Sequence, residues 1–308
     1  MEHTPVLLHE CIDGLNIKPD GIYIDGTLGR AGHALEIVKR LVKGRLIAID
    51  RDEEAINEAG EVLSEYRSIT TFVHGNFKDI KSILDEESVE KADGMLFDLG
   101  VSSPQLDKTE RGFSYKQNSD LDMRMNKSDS LTAFEVVNNW QEDKLRKIFY
   151  EYGEERYSKS IARAITKQRA LAQIDTTFKL NDIIISAIPA AARREAQHPS
   201  KRCYQAIRIA VNDELGSLRD MLDAIPSLLK PEGRVCVISF HSLEDRLVKR
   251  AFTAGAKGCD CPGDIPVCVC GKKPTLKLIT RKPVIAGKSE TDNNPRARSA
   301  KLRIAERI

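Results

Sequence analysis

The sequence predicts an α/β chain: a Rossmann-like, mostly parallel sheet interrupted by an inserted helical domain. Three observations carry this. Short β-type apolar runs recur at 22–24, 46–49, 69–74, 93–98 and 234–240, the first four alternating with helical patterns. The first of these runs stops at an acid and enters a glycine-spaced turn, as a strand-loop-helix-strand unit would. From about residue 108 to 212 the strand pattern gives way to helical spacing. The sheet is therefore expected in two parts, 1–107 and 213–308, around an insertion at 108–212.

Taken in order, the opening segment 3–10 has an apolar centre too short to fold alone and is expected to pack on the sheet. The stretch 21–32, Gly-Ile-Tyr-Ile-Asp-Gly-Thr-Leu-Gly-Arg-Ala-Gly, organises the rest. A buried strand stops at Asp25, and Gly26, Gly29 and Gly32 let the backbone turn sharply against a ligand. A helix follows with His33, Leu35, Ile37, Val38 and Leu41 on its apolar side. The second strand ends at Asp50, where a carboxylate can accept hydrogen bonds from both hydroxyls of a ribose. Glycines three apart, preceded by an acid, differ from the G-x-G-x-x-G of nicotinamide sites. Asp25 suits the cationic amino acid end of S-adenosylmethionine better than a pyrophosphate, so the methyl donor is preferred; a turn without a ligand is the bland alternative.

A polar helix over about 53–66 leads to the third strand, whose exit carries Phe77, placed to meet an adenine or to fill the core. The fourth strand ends at Asp98, followed by Leu-Gly-Val-Ser-Ser-Pro-Gln to Gln105. This loop is expected to hold the chemistry, because strand four adjoins strand one where the strand order reverses. Enzymes that methylate exocyclic amines place an Asp/Asn/Ser-Pro-Pro-aromatic turn there, and Ser103-Pro104-Gln105 keeps the first proline without the aromatic. In the insertion, Phe113 and Tyr115 beside Arg111 suit base stacking or the edge of a core. Asn139 with Glu142 predicts a helix start. Tyr157, Ile161 and Ile165 form the apolar side of the next helix, whose other faces carry Arg156, Lys159, Arg163 and Lys167. One helix over about 204–229 returns to the sheet, and the turn 230–233 launches the fifth strand. At its exit His241, Ser242 and an acid stand too close in sequence for a hydrolase triad. Runs at 277–280 and 300–305 predict a final strand pair.

At 308 residues and 41% hydrophobic content the chain can bury a large core. No apolar run approaches the ~18 residues of a membrane span, and the first ten residues hold acids rather than a basic, apolar leader; a cytoplasmic protein with no membrane partner is expected. The net charge of +2 hides a division. Residues 1–110 hold 12 basic and 22 acidic side chains, and the remainder holds 36 and 24. Within the basic part, 156–208 and 271–308 each carry 11 basic and 3 acidic residues. Such clusters attract a polyanion, so nucleic acid is the leading partner and a solvated helix face the alternative. Seven cysteines, four of them at 259–270, are unlike a secreted disulfide framework. Cys259, Cys261, Cys268 and Cys270 form two C-x-C pairs that could enclose a tetrahedral zinc at ~2.3 Å per bond. Reduced thiols bracing a loop, or a redox-sensitive pair, are the other readings.

With those segments in hand, the sequence resembles the bacterial 16S ribosomal RNA cytosine-N4 methyltransferase family over nearly its whole length. The likeness rests on Pro5-Val6-Leu7-Leu8, on 25–33, on 98–107, and on Arg111-Gly112-Phe113-Ser114 and Asp122-Met123-Arg124-Met125. It continues through 152–156, 239–246 and 294–299. The resemblance implies a class I S-adenosylmethionine-dependent methyltransferase sheet, with donor contacts at Ala31, Gly32, His33, Asp50, Phe77, Asp98 and Gln105. Most members read Gly-Gly-His where this chain has Ala31-Gly32-His33, so a methyl group must fit near the donor. Members without the cysteine cluster exist, which makes any metal structural rather than catalytic. The implied substrate is cytosine 1402 of 16S ribosomal RNA in the assembled small subunit, with roles in ribosomal RNA processing and ribosome biogenesis; a homodimer is the oligomeric form considered.

The cytosine amine is a poor nucleophile because its lone pair is delocalised into the ring. Acceptors in the fourth-strand loop, at Ser102, Ser103 or backbone carbonyls, can turn that lone pair towards the methyl group, with Asp98 holding the donor or assisting the amine. Two other function classes compete: a nicotinamide-dependent oxidoreductase using the same Asp50, and a non-catalytic RNA-binding assembly factor using only the basic regions.

Overall fold

In a computed structural model of the chain, the described residues are 5–102, 105, 108–194, 198–259, 261, 267 and 270–308. They form two compact units, one of residues up to Gly100 together with Leu215–Ile308, the other of Val101–Glu214. The first is built on seven strands: β1 (Ile22–Asp25), β2 (Arg45–Asp50), β3 (Thr70–His74), β4 (Ala92–Asp98), β5 (Leu229–Ser239), β6 (Leu276–Leu278) and β7 (Lys301–Arg307). Their order is β3-β2-β1-β4-β5-β7-β6. The first five are mutually parallel, whereas β7 runs antiparallel to both β5 and β6. This is the Rossmann-like sheet expected, and the strand order reverses where β1 pairs with β4.

Central strands covered on both faces need apolar side chains at successive positions, not alternate ones. Accordingly Ile24, Ile47, Phe97 and Val237 face one core, while their neighbours Tyr23, Leu46, Leu96 and Cys236 face the other. In the chain before the insertion the helices are α1 (Leu8–Leu15), α2 (Gly32–Val38), α3 (Glu53–Val62) and α4 (Ile80–Glu86). The helix expected over 53–66 ends at Val62, and Ser64–Tyr66 forms a separate 3-10 turn. The opening segment packs as expected: Val6 and Leu7 join the second core, and the Leu7 amide donates to Glu290 Oε1 at 2.8 Å.

The second unit contains α5 (Ala133–Asn139), α6 (Glu142–Glu151), α7 (Ser158–Arg169), α8 (Thr177–Ala187) and α9 (Ser200–Asn212). Its own core includes Leu145, Phe149, Ile161, Ile165, Leu180 and Ile207. Asn139 does not start a helix. It closes α5, which Thr132 begins by accepting the Glu135 amide at 3.2 Å, and α6 starts after Gln141. Of the two readings of the loop aromatics, Phe113 takes the core one. Arg111 beside it is buried, donating to the carbonyls of Arg124 and Met125 at 3.0 and 2.9 Å. Tyr115 stacks on His198 with ring centres 4.3 Å apart.

The single helix expected over 204–229 is two: α9, and α10 (Glu214–Leu228). They are broken at Asp213, whose φ of 46° is left-handed. The neighbouring Asn212 side chain accepts the Met125 amide and donates to the Met123 carbonyl, both at 2.8 Å. These bonds hold α9's last turn in a fixed orientation. The expected turn at 230–233 lies within β5, as an irregularity in its pairing with β4. After β5 come α11 (Ser242–Ala256), β6, α12 (Lys288–Asn293) and β7.

Candidate active site at the strand exits

The carboxyl ends of β1, β2 and β4 each carry an acid, and the loop after β1 connects all three. Asp25 is 1% exposed, and one oxygen accepts the Thr27 amide at 3.1 Å. Burial pushes its pKa up to about 7, with the amide pulling the other way and the Asp50 charge adding to the rise. Gly26 passes so close to Phe97 that a Cβ would meet a ring carbon at 2.3 Å. The amide of Gly29, itself in the left-handed region at φ 49°, donates to Asp50 Oδ2 at 2.8 Å. Asp50 Oδ1 accepts the Asp52 amide at 2.9 Å. Burial raises the Asp50 pKa despite both amides. A carboxylate oxygen has two lone pairs, so each keeps one for a further donor.

Ala31 is buried in the left-handed conformation at φ 60°, which explains why glycine suits this position. A Cβ on Gly32 would meet Pro5 Cγ at 2.2 Å. His33 Nε2 lies 3.1 Å from the Val6 carbonyl, and burial drives its pKa down to about 4. The ring is therefore neutral at pH 7, with Nε2 carrying the donated proton. His33 thus holds the opening segment at Val6, and Gly32 leaves room for Pro5.

Asp98 is the residue out of balance. Its amide donates to Thr27 Oγ1 at 2.6 Å, joining the β4 exit to the β1 loop. Its Oδ1 is buried with no hydrogen-bond partner among the described residues. Burial, then the charges of Asp25 and Glu244, push its pKa up to about 8. A buried carboxylate oxygen without a donor is costly when charged, so Asp98 holds a proton for much of the time at neutral pH. Phe77 opens the 3-10 turn after β3, with its ring edge on Phe97 at 5.9 Å.

Sequence reasoning left out Thr27 and Glu244. Glu244 is 2% exposed; its Oε2 accepts the Phe240 amide at 2.8 Å, and its Oε1 lies 3.1 Å from His241 Nε2. The His241 ring in turn caps α11. Asp245 is paired with Arg303 at 2.7 Å and Lys301 at 3.3 Å, fastening α11 to β7. An acid three residues beyond the His, at a strand exit, was the available signal for Glu244.

Ser102 and Gln105 belong to the helical unit, where the Ser102 amide donates to Gln105 Oε1 at 3.1 Å and Gln105 is buried. Ser103 lies outside the described residues. Of the cysteine cluster, Cys259, Cys261 and Cys270 bring their sulfurs within 4.8 Å of one another, and Cys268 lies outside the described residues.

Chemically, the strand exits offer a carboxylate at Asp50 with lone pairs for a vicinal diol, and at Asp25 and Asp98 two acids able to exchange a proton near neutrality. A sequence profile described as the MraW methylase family matches residues 1–308. Three relatives are each named Ribosomal RNA small subunit methyltransferase H. The protein from Halothermothrix orenii is 54% identical, covering 100% of this chain and 99% of its own. Those from Clostridioides difficile and Brevibacillus brevis are 52% and 51% identical, each covering 99% of this chain and 99% and 98% of their own lengths. The chain belongs to the MraW methylase family.

Proposed function

We propose that the chain is an S-adenosylmethionine-dependent methyltransferase acting on N4 of cytosine 1402 of 16S ribosomal RNA in the small ribosomal subunit. The observation that carries this reading is Asp98: a buried carboxyl oxygen without a donor, at the β4 exit, in a family whose relatives are named for small-subunit ribosomal RNA methylation. The residues fit the donor. Asp50 has lone pairs for the ribose hydroxyls, Phe77 a half-buried ring for the adenine, and Asp25 an oxygen that can accept from the amino acid end; the family resemblance adds Ala31, Gly32, His33 and Gln105. When bound, the donor supplies an electrophilic methyl group on a sulfonium.

The chain's own residues prepare the amine. N4 must lose one proton as its bond to carbon forms. Ionised Asp98 accepts a hydrogen bond from N4 and then the proton, and a pKa of about 8 makes it a base matched to neutral pH. From the sequence, Ser102, Ser103 and the backbone carbonyls of the loop after β4 are assigned to accept the second N4 hydrogen and fix the lone pair's direction. The helical unit supports an RNA partner: α7 buries Ile161, Ala162 and Ile165 while Arg156, Lys159, Arg163 and Lys167 on and beside it are exposed. Among the described residues no helix is long and apolar enough to cross a membrane.

The test is transfer from labelled S-adenosylmethionine to small subunits lacking this modification, with the nucleoside identified by mass spectrometry. N4-methylcytidine at position 1402 is expected. Donor binding with no transfer to any small-subunit preparation would overturn the substrate, and absence of donor binding would overturn the reaction class.

A further inference from the structure

The stretch between α11 and β6 is long, and no helix or strand occurs in it among the described residues. Its base is closed. The Thr275 amide donates to the Gly255 carbonyl at 2.8 Å, and a Cβ on Gly258 would meet Pro274 Cδ at 3.3 Å. Val267 within it is 70% exposed.

Three sulfurs converge there. Cys259 and Cys270 Sγ stand 3.7 Å apart, and all three thiols of Cys259, Cys261 and Cys270 lie within 4.8 Å of one another. In a tetrahedral centre with bonds of ~2.3 Å, neighbouring sulfurs are separated by about 3.8 Å. The Cys261 amide points at Cys259 Sγ at 3.3 Å, an N–H···S bond that stabilises the thiolate form. Lys257, Lys272 and Lys273 flank the cluster in sequence and favour the same form.

We propose that Cys259, Cys261 and Cys270 bind a thiophilic divalent cation, zinc, as a structural clip that closes the loop between α11 and β6. Each thiol releases its proton to solvent on binding, and no electron is transferred. An all-sulfur donor set selects zinc over the oxygen-seeking magnesium and calcium. The clip uses none of the strand-exit residues, so it holds whatever the substrate of the active site is.

The test uses the full chain purified without an affinity tag that binds metal. Cys11, Cys203 and Cys236 are buried, with pKa values raised by burial, so a mercurial reagent applied to the folded chain reads the cluster. One zinc per chain is expected after dialysis in metal-free buffer, released as the reagent titrates the thiols. Cobalt replacing zinc should show the sulfur-to-cobalt charge-transfer band of a tetrahedral thiolate site. Cys259→Ser and Cys270→Ser should each lower zinc affinity by at least roughly tenfold, while Val267→Ala, at an exposed neighbour, retains it. The cobalt spectrum of the unaltered chain decides the matter even where a serine variant folds poorly. A chain that takes up neither zinc nor cobalt would overturn the proposal. So would an intact mass and a linked peptide showing a Cys259–Cys270 disulfide in the chain as isolated.

Discussion

Asp98→Asn keeps the shape of the side chain and removes its ability to ionise. An acid whose pKa is higher in the folded chain than in the unfolded one destabilises the fold once it must ionise. Between about pH 4 and pH 8 the native state retains a proton that the unfolded chain has released, so stability falls through that window as pH rises. A rise to about 8 spans about four powers of ten in proton affinity, a ceiling of about 5–6 kcal/mol. Asp25, itself raised to about 7, shares the proton, and water at the strand exits lowers the cost, so ~2–3 kcal/mol is expected of Asp98 itself. The donor-free variant should then resist urea better than the parent at about pH 8, by roughly 1 M in midpoint, and converge with it near pH 4. The reporter matters. The single tryptophan, Trp140, lies in the helical unit, so labelling of the buried Cys236 thiol in β5 is the readout for the sheet. Parallel pH profiles for parent and variant would refute the reasoning. The same variant should lose roughly 10²–10⁴-fold in methyl transfer.

Three further outcomes are expected. Gly26→Ala drives a methyl group into the Phe97 ring and should destabilise the sheet unit by ~1–3 kcal/mol; an unchanged thermal midpoint would contradict the packing. His33, held neutral with a pKa of about 4, leaves the native state short of a proton that the unfolded chain binds below about pH 6.5, so its contribution is lost as pH falls from about 6.5 to 4. His33→Gln, which can keep the donor to the Val6 carbonyl, should flatten that acid limb of the stability curve, and an equally steep limb would sink the assignment. Replacing Lys159, Arg163 and Lys167 together by alanine should make the salt dependence of ribosomal RNA binding shallower by roughly 2–3 in log-log slope. An unchanged slope in a filter-binding titration would place the RNA elsewhere.

The sheet was legible because parallel strands buried on both faces leave continuous apolar runs, and an acid closes the runs that end at Asp25, Asp50 and Asp98. The breaks were less so. Asp213 adopts a left-handed conformation that nothing in the local pattern announces, because partners some 90 residues away, at Met123 and Met125, hold Asn212. Asn139 looked like a cap because its chemistry suits one, yet Thr132 had already begun the preceding helix. At the strand exits the positions of the acids could be read, but their proton affinities could not. These depend on burial and on the approach of Asp25, Asp98 and Glu244 from three separate elements. The inward turn of Phe113 likewise depends on a core assembled from five helices.

The position of β7 between β5 and β6 bears on how the chain is made. The parallel strands are complete by Ser239, but the strand that pairs β5 on its open side is Lys301–Arg307. During synthesis β5 must wait as an unpaired edge until residues 301–307 have emerged; the Leu7 amide likewise waits for Glu290. The helical unit faces no such delay, since its core draws only on 101–214. Nascent chains should thus carry a folded middle between unfinished halves, and loss of β7 should leave β5 and β6 without the partner between them.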